Sequence, residues 1–213
     1  MNTPLLLLDA AFAVPYAAVV RQGRAVAVEK AAPEPPFSAQ CVTIMEKCLS
    51  TAGLSIEGIG GFIFNTGPGS FTGVRTALSV LKGLCFGKEA QAAGLNSLYL
   101  LARPFFGRGS DICPVMNAYM GQVYTALYGS KGEEIRPPCA VAPGEAARLA
   151  GAGALVTRDE GADAPSLDEI IRGAAMAGFE RFRAGQTVPV RNLAPLYLRK
   201  SYAEIRRDNQ RLK

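Results

Sequence analysis

Histidine and tryptophan are both absent from this chain. Without imidazole there is no Ser-His-Asp or Cys-His nucleophile system, no HExxH zinc helix and no histidine general base. Cysteine is scarce. Cys41, Cys48, Cys85, Cys113 and Cys139 make five, an odd number, and no two form a CxxC pair. That spacing argues against a disulfide framework or a thiolate zinc site and leaves buried, reduced thiols. Long apolar runs are also missing. Residues 5–8 are bounded by Pro4 and Asp9, and nothing approaches the ~20 apolar residues that cross a bilayer. No charged segment precedes that run, so no signal peptide and no membrane partner are expected, and the expected compartment is the cytoplasm.

What remains is the composition of a folded chain. The 213 residues are 49% hydrophobic and 19% charged, enough apolar matter to bury a core and too little charge for disorder. The length allows one large domain or two small ones. The net charge of +5 is concentrated at one end. Residues 199–213 hold six basic and two acidic side chains, leaving 17 basic and 16 acidic on the rest. The body is close to neutral and the tail is basic. That tail is read either as a solvated helix end or as a segment that reaches RNA or a partner.

Residues 5–8 predict a buried strand ending at Asp9, and residues 16–21 and 24–30 predict a hairpin turning at Gln22-Gly23. Residues 38–52 predict a helix capped by Ser38 and stopped by Gly53, with Cys41, Val42, Ile44, Met45, Cys48, Leu49 and Ala52 on its buried face. A strand at 61–65, a glycine-rich turn at 67–73, a helix at about 70–86, a strand from 90 and a helix over 95–101 follow. Gly107 to Ser110 reads as a boundary, so the expected division is 1–106 and 107–213. Beyond it the pattern restarts, with strands at 112–116, 122–128 and 133–141, the last an edge strand because it holds Pro137-Pro138. Helices at 143–150 and 166–184, a strand at 154–157 and a charged closing helix complete the chain. Asp9 and Asn117, and likewise Tyr16 and Tyr124, lie 108 residues apart at corresponding points of the two halves. This faint repeat predicts two copies of one unit facing each other across a cleft, an actin/hexokinase-like architecture.

The segment from Asn65 to Arg75, NTGPGSFTGVR, leaves a strand and opens a helix. No Lys-Ser/Thr follows Gly73, and the glycines at 67, 69 and 73 do not have GxGxxG spacing, so it is neither a P-loop nor a dinucleotide fingerprint. Two readings stay open: a structural turn capped by Ser70 or Thr72, and an anion cradle made by Gly67, Gly69, Ser70, Thr72 and Gly73. In the helix behind it, Val74, Ala77, Leu78, Val80, Leu81, Leu84 and Cys85 form the core face. The opposite face carries Thr76, Ser79, Gly83, Phe86 and Gly87, with only Arg75 and Lys82 at its side. A helix face so poor in charge is covered either by its own chain or by another subunit. The aromatic and the small residues favour the subunit.

GPGSFTGVR resembles the signature of the TsaB family, also called YeaZ, glycoprotease-like proteins of bacterial tRNA threonylcarbamoyladenosine synthesis. Three further segments are similar to family motifs in the right order. They are the opening strand to Asp9, Asn117-Ala118-Tyr119-Met120-Gly121-Gln122-Val123-Tyr124 as a version of DARxGEVY, and Pro195-Leu196-Tyr197-Leu198-Arg199 as the closing PxYLR. The resemblance implies an α/β, actin/hexokinase-like (ASKHA) fold of two similar subdomains, each with a mixed β-sheet and flanking helices. It implies a non-catalytic partner of TsaD, the enzyme that transfers a threonylcarbamoyl group to the adenosine beside the anticodon, with the ATPase TsaE as third member. tRNA would be met through the complex. Pairing with TsaD, or with a second copy of this chain, is implied through the first two helices. Partner contact is thus expected at Thr43 and Lys47 on the first and at Arg75, Thr76, Ser79, Gly83 and Phe86 on the second.

The departures point the same way. The family's opening DTST is Asp9-Ala10-Ala11-Phe12 here, and Asn117, Tyr119 and Gln122 replace Asp, Arg and Glu. Each change removes a group useful for ATP or metal. No nucleotide is expected on the chain alone, with ATP or ADP left to the interface with TsaD. No catalytic or metal residue is assigned. Asp9 is read as a polar hairpin residue, and Tyr119, Tyr124 and Tyr197 as half-buried packing. The alternative function is a small ATP-dependent kinase or glycoprotease-like peptidase of the actin-like superfamily.

Overall fold

The computed structural model describes residues 3–151, 153–157 and 164–199. Strand β1 (Leu5–Asp9) pairs antiparallel with β2 (Tyr16–Arg21), and β2 with β3 (Arg24–Lys30). Gln22 and Gly23 close that second hairpin at φ +51 and +77, the type I′ geometry whose twist matches its strands. Helix α1 (Phe37–Thr51) leads to β4 (Gly61–Asn65), parallel to β1, and α2 (Phe71–Leu84) leads to β5 (Gln91–Leu95), parallel to β4. After α3 (Ser97–Ala102) the scheme begins again. Strands β6 (Ile112–Tyr119), β7 (Gln122–Tyr128) and β8 (Glu134–Val141) are antiparallel, and α4 (Pro143–Ala150) carries the chain to β9 (Ala154–Thr157), parallel to β6. Helix α5 (Leu167–Arg183) and the short β10 (Val188–Pro189) follow.

The sheets run β10-β5-β4-β1-β2-β3 and β8-β7-β6-β9. In each, three antiparallel strands are followed, through a helix, by a strand parallel to the first and on its other side. The repeat faintly visible in the sequence is therefore a duplicated topology, and the fold is actin/hexokinase-like, with a mixed sheet in each copy. Strand β8 lies at a sheet edge, and Pro137 and Pro138 fall where its register with β7 breaks, between Arg136 opposite Leu127 and Cys139 opposite Thr125.

Strand β1 is buried on both faces, which is why residues 5–8 read as an unbroken apolar run. Leu6 and Leu8, with Ala17 and Val19 of β2, meet the layer formed by α1 and α2. Leu5, Leu7, Ala18 and Val20 join a second core that continues through Ile112, Met116 and Tyr124 of the second sheet to Ile170 and Ala174 of α5. The expected division after residue 106 falls between α3 and β6, yet two later elements lie on the first sheet. Strand β10 pairs with β5, and Arg181 of α5 donates to the Gly94 carbonyl.

Several local expectations change. Helix α1 begins at Phe37 behind Pro36, and no side chain caps it, Ser38 included. Strand β5 extends through Leu95, so the next helix starts at Ser97, capped by Asn96, which accepts from the Tyr99 N–H at 2.7 Å. Strand β6 runs on past Asn117 to Tyr119. Val42 and Leu84, read as core, are 46% and 36% exposed. Val42 lies at the rim of the α1 stripe and Leu84 is the last residue of α2, so the sheet covers neither. The charged closing helix falls outside the described residues.

The thiols behave as small apolar groups. Cys41, Cys48 and Cys85 lie in the layer under α1 and α2, and Cys113 sits 3.1 Å from the Thr125 hydroxyl. Burial pushes the Cys41 thiol from 9.0 up to about 11 and raises the other three in the same direction. A group raised in the folded state favours folding fully below its unfolded value. That favour is lost as pH rises through the folded value. The thermal midpoint is therefore expected to fall as pH rises from about 9 toward 11. At pH ~8 a thiol reagent should leave Cys41, Cys48, Cys85 and Cys113 unlabelled in the native protein and reach all five cysteines only in denaturant.

Candidate functional site

Asp9 is fully buried and ties three elements together. Its Oδ1 accepts the Ala11 N–H at 2.9 Å, and its Oδ2 accepts from Asn65 Nδ2 at 2.9 Å and from the Tyr16 hydroxyl at 3.2 Å. Asn65 Oδ1 in turn accepts the Gly67 N–H at 3.0 Å and the Ser97 hydroxyl at 3.1 Å. Asp9, expected as a polar hairpin residue, is joined here by Asn65, Ser97 and the Tyr16 hydroxyl, which the sequence pattern does not single out. The available signal was Asn65, a polar side chain ending an otherwise apolar strand immediately before the glycine turn. The cluster is saturated and buried, so it orders the β1 and β4 ends.

Above it, the glycine turn is packed against the β1–β2 connection. The Ser70 N–H donates to the Ala11 carbonyl at 2.9 Å, and the Ser70 hydroxyl caps α2 by accepting the Gly73 N–H at 3.1 Å. A β-carbon at Gly69 would lie 2.1 Å from the Ala11 oxygen, and one at Gly73 would lie 2.2 Å from the Ala10 oxygen. These two glycines admit backbone carbonyls. The space bounded by Thr66 to Phe71, Tyr124 and Pro195 to Tyr197 is about 10 Å³, at the lower limit for one water molecule. Three of the N–H groups an anion would need, those of Gly67, Ser70 and Gly73, are engaged within the chain. Of the two readings of this segment, the geometry favours the capped structural turn.

The C-terminal motif closes over the same turn. Tyr197 stacks on Phe71 with centroids 4.8 Å apart, and the Arg75 guanidinium lies 5.2 Å from the Tyr197 ring. Arg75 Nε donates to the Tyr197 hydroxyl at 2.7 Å. Arg75 is thus occupied within the chain, clamping residues 195–199 to the start of α2. Tyr124 is buried at the base of this joint, where desolvation pushes its hydroxyl pKa up and the charge of Arg199 partly offsets the rise.

The outer face of α1 and α2 is different. The helices lie side by side on one face of the first sheet, while α3, α5 and the second sheet take the other. Thr43, Lys47, Ser79 and Gly83 are exposed, Thr76 is half-buried, and Phe86 is 89% exposed. Val42 and Leu84 join them. Nothing lies within 4 Å of where a Gly83 β-carbon would be. A phenyl ring, a valine and a leucine are thus in water on this side of the molecule, together with the exposed charges of Glu46 and Lys47 on α1. Among the described residues no Cys, Asp and Glu side chains converge as a metal-ligand set, and no helix is long and apolar enough to cross a membrane.

A family model described as TsaD, tRNA N6-adenosine threonylcarbamoyltransferase, matches residues 34–161, more than half of the chain. The chain is similar to the tRNA threonylcarbamoyladenosine biosynthesis protein TsaB of Escherichia coli (strain K12). They are 27% identical over 187 residues, which is 75% of this chain and 79% of that protein. It is 31% identical over 96 residues to the protein of the same name from Bacillus subtilis (strain 168), 44% of this chain and 41% of that one. Among solved structures, YeaZ from Pseudomonas aeruginosa has the same fold. The TM-score is 0.74 at 22% identity, over 92% of this chain and 100% of that one.

Proposed function

From the premise that this chain belongs to the tRNA N6-adenosine threonylcarbamoyltransferase (TsaD) family, as one of its TsaB (YeaZ) proteins, we propose that it serves tRNA threonylcarbamoyladenosine synthesis as the non-catalytic partner of TsaD. The observation that carries this reading is the outer side of α1 and α2, where Val42 of α1 is 46% exposed, Gly83 and Leu84 end α2 in the open, and Phe86 in the turn after α2 is 89% exposed. TsaD is its occupant on this reading, and a second copy of the chain competes for it when TsaD is absent. TsaE supplies the ATPase. The ATP or ADP of the pathway binds to those partners or at the surface shared with TsaD. A kinase of this fold would need a phosphate cradle where the Ala10 and Ala11 carbonyls now sit.

Such a partner contributes by holding TsaD in one conformation, so its effect is a population shift rather than a chemical step. The test is to mix the purified full chain with TsaD and TsaE and to measure complex size and product. A stable complex with TsaD is expected, with modification activity only in the full mixture and no ATP turnover by this chain alone. Steady ATP or peptide hydrolysis by the isolated chain, or failure to associate with TsaD, overturns the reading.

A further inference from the structure

The second sheet stops at the strand where the first continues. In the first, β4 lies parallel to β1, and β5 lies parallel to β4 on its outer edge. In the second, β9 holds the place of β4 beside β6, and among the described residues no strand pairs with its other edge. The chain goes on instead to α5, whose Arg181 is bonded to the Gly94 carbonyl of the first sheet. The Ala154 N–H is taken by the Asp111 carbonyl at 2.8 Å, so alternation along β9 turns the N–H and C=O of Leu155 away from β6. Leu155 is 46% exposed.

A cavity of about 130 Å³ opens beside that edge, between β9 and the segment that leads into β6. Its floor is apolar and buried, formed by Phe105, Ile112 and Val156. Apolar cavities of about 150 Å³ take up benzene, so this one has room for a single leucine side chain or phenyl ring. Arg108 is the one charged residue that lines it, and Ser110 is the polar one. The Arg108 guanidinium lies 4.6 Å from the centre of the Phe105 ring, and its Nη2 donates to the Pro104 carbonyl at 3.4 Å. A fork of five donors placed in this way has capacity left for a carboxylate. Glu169, whose carboxyl Arg108 helps to hold below its usual range, is already bonded to Ser166.

We propose that this edge docks an extended segment of another protein. The segment continues the sheet as a strand parallel to β9, as β5 continues β4. It sets one large apolar side chain in the cavity and an acidic neighbour against Arg108. Each property of the occupant has its own origin. The open edge selects extended backbone, because a strand can return both bonds to Leu155. The cavity selects the apolar anchor, and Arg108 selects the charge. A second copy of this chain would meet the edge across a two-fold axis, which makes the pairing antiparallel, whereas the position that β5 holds is parallel. The surface belongs to the second sheet and shares no residue with the α1–α2 face, so the inference does not depend on what covers that face.

The probe is a short, threonine-rich peptide, blocked at both ends, with leucine at its centre and glutamate beside it. It is titrated to about 1 mM into the isotope-labelled full-length chain, and backbone amide shifts are recorded. Saturable shifts are expected at the Leu155 amide and in the 105–112 segment. Alanine in place of the central leucine should weaken binding about tenfold or more, and lysine in place of the glutamate about 2- to 5-fold. Leu155→Pro removes the outward N–H and should weaken binding about 3- to 10-fold. Ala154 lies on the Val156 side of β9, so Ala154→Leu fills the cavity and should abolish binding through the leucine anchor. Arg108→Gln should make the glutamate and lysine peptides equal. Thermal unfolding checks that each variant is folded. No saturable shift at β9, equal binding within either peptide pair by the unmodified chain, or full binding by a folded Ala154→Leu overturns the proposal. So do Leu155 shifts that follow chain concentration without peptide, which would make a second copy the occupant.

Discussion

Gly83→Arg is expected to leave the isolated chain folded and to weaken its pairing with TsaD at least about a hundredfold. The two halves of that result have separate causes. In the free chain, nothing lies within 4 Å of a Gly83 β-carbon, so the new side chain extends into water. Gly83 sits in α2, and arginine is a better helix former by about 0.8 kcal/mol. The thermal midpoint should hold or rise by a few degrees. In the proposed complex, the same side chain would project from the last turn of α2 into the contact with TsaD. It would hold the helices apart and place an unpaired charge in a desolvated contact, each effect costing about 1–3 kcal/mol. Phe86→Ala removes the exposed ring without adding bulk and should cost about 1–3 kcal/mol of pairing, with no loss of fold. Calorimetry on the pair and thermal unfolding of the chain alone check both statements. If both variants pair at full strength, the α1–α2 face is not the interface.

The second large effect is an inversion of what helix propensity implies. Gly73 lies in the first turn of α2, where Gly→Ala ordinarily stabilises by about 0.5–1 kcal/mol. Here the added carbon would lie 2.2 Å from the Ala10 carbonyl oxygen and 3.0 Å from the Ser70 hydroxyl that caps the helix. Backbone cannot rotate away as a side chain can. Gly73→Ala is therefore expected to destabilise by about 3 kcal/mol, a drop of roughly 6–12 °C in midpoint. Gly83→Ala, in the same helix with open space around it, should stabilise by about 0.5–1 kcal/mol. Opposite signs for two glycine-to-alanine changes in one helix would establish that the β1–β2 connection is seated against the turn. A stabilising Gly73→Ala would refute that seating.

The sequence by itself determined whatever depends on neighbours along the chain. Hydrogen-bond period and side-chain alternation are local, so β2, β3, β4 and α4 fall where their residues put them. The Gln22-Gly23 turn, the Ser70 cap and the edge position of the proline-bearing β8 follow from the same local chemistry. The charge-poor side of α2 was legible too, because a helix face is set by 100° steps and a missing charge is visible in one dimension. Only the tertiary structure decided what those elements meet. Asp9 became a buried hub because Asn65, itself held by the Ser97 hydroxyl, reaches it from a strand far along the chain. Gly69 and Gly73 proved to be points of backbone approach because the segment pressed against them is some sixty residues earlier. Arg75 is engaged by Tyr197, 122 residues away. A glycine or an arginine has the same local signature whether a phosphate, a carbonyl or a tyrosine lies opposite. Which of these is there depends on how distant segments are brought together by burial of the shared core, and no spacing along the chain records it.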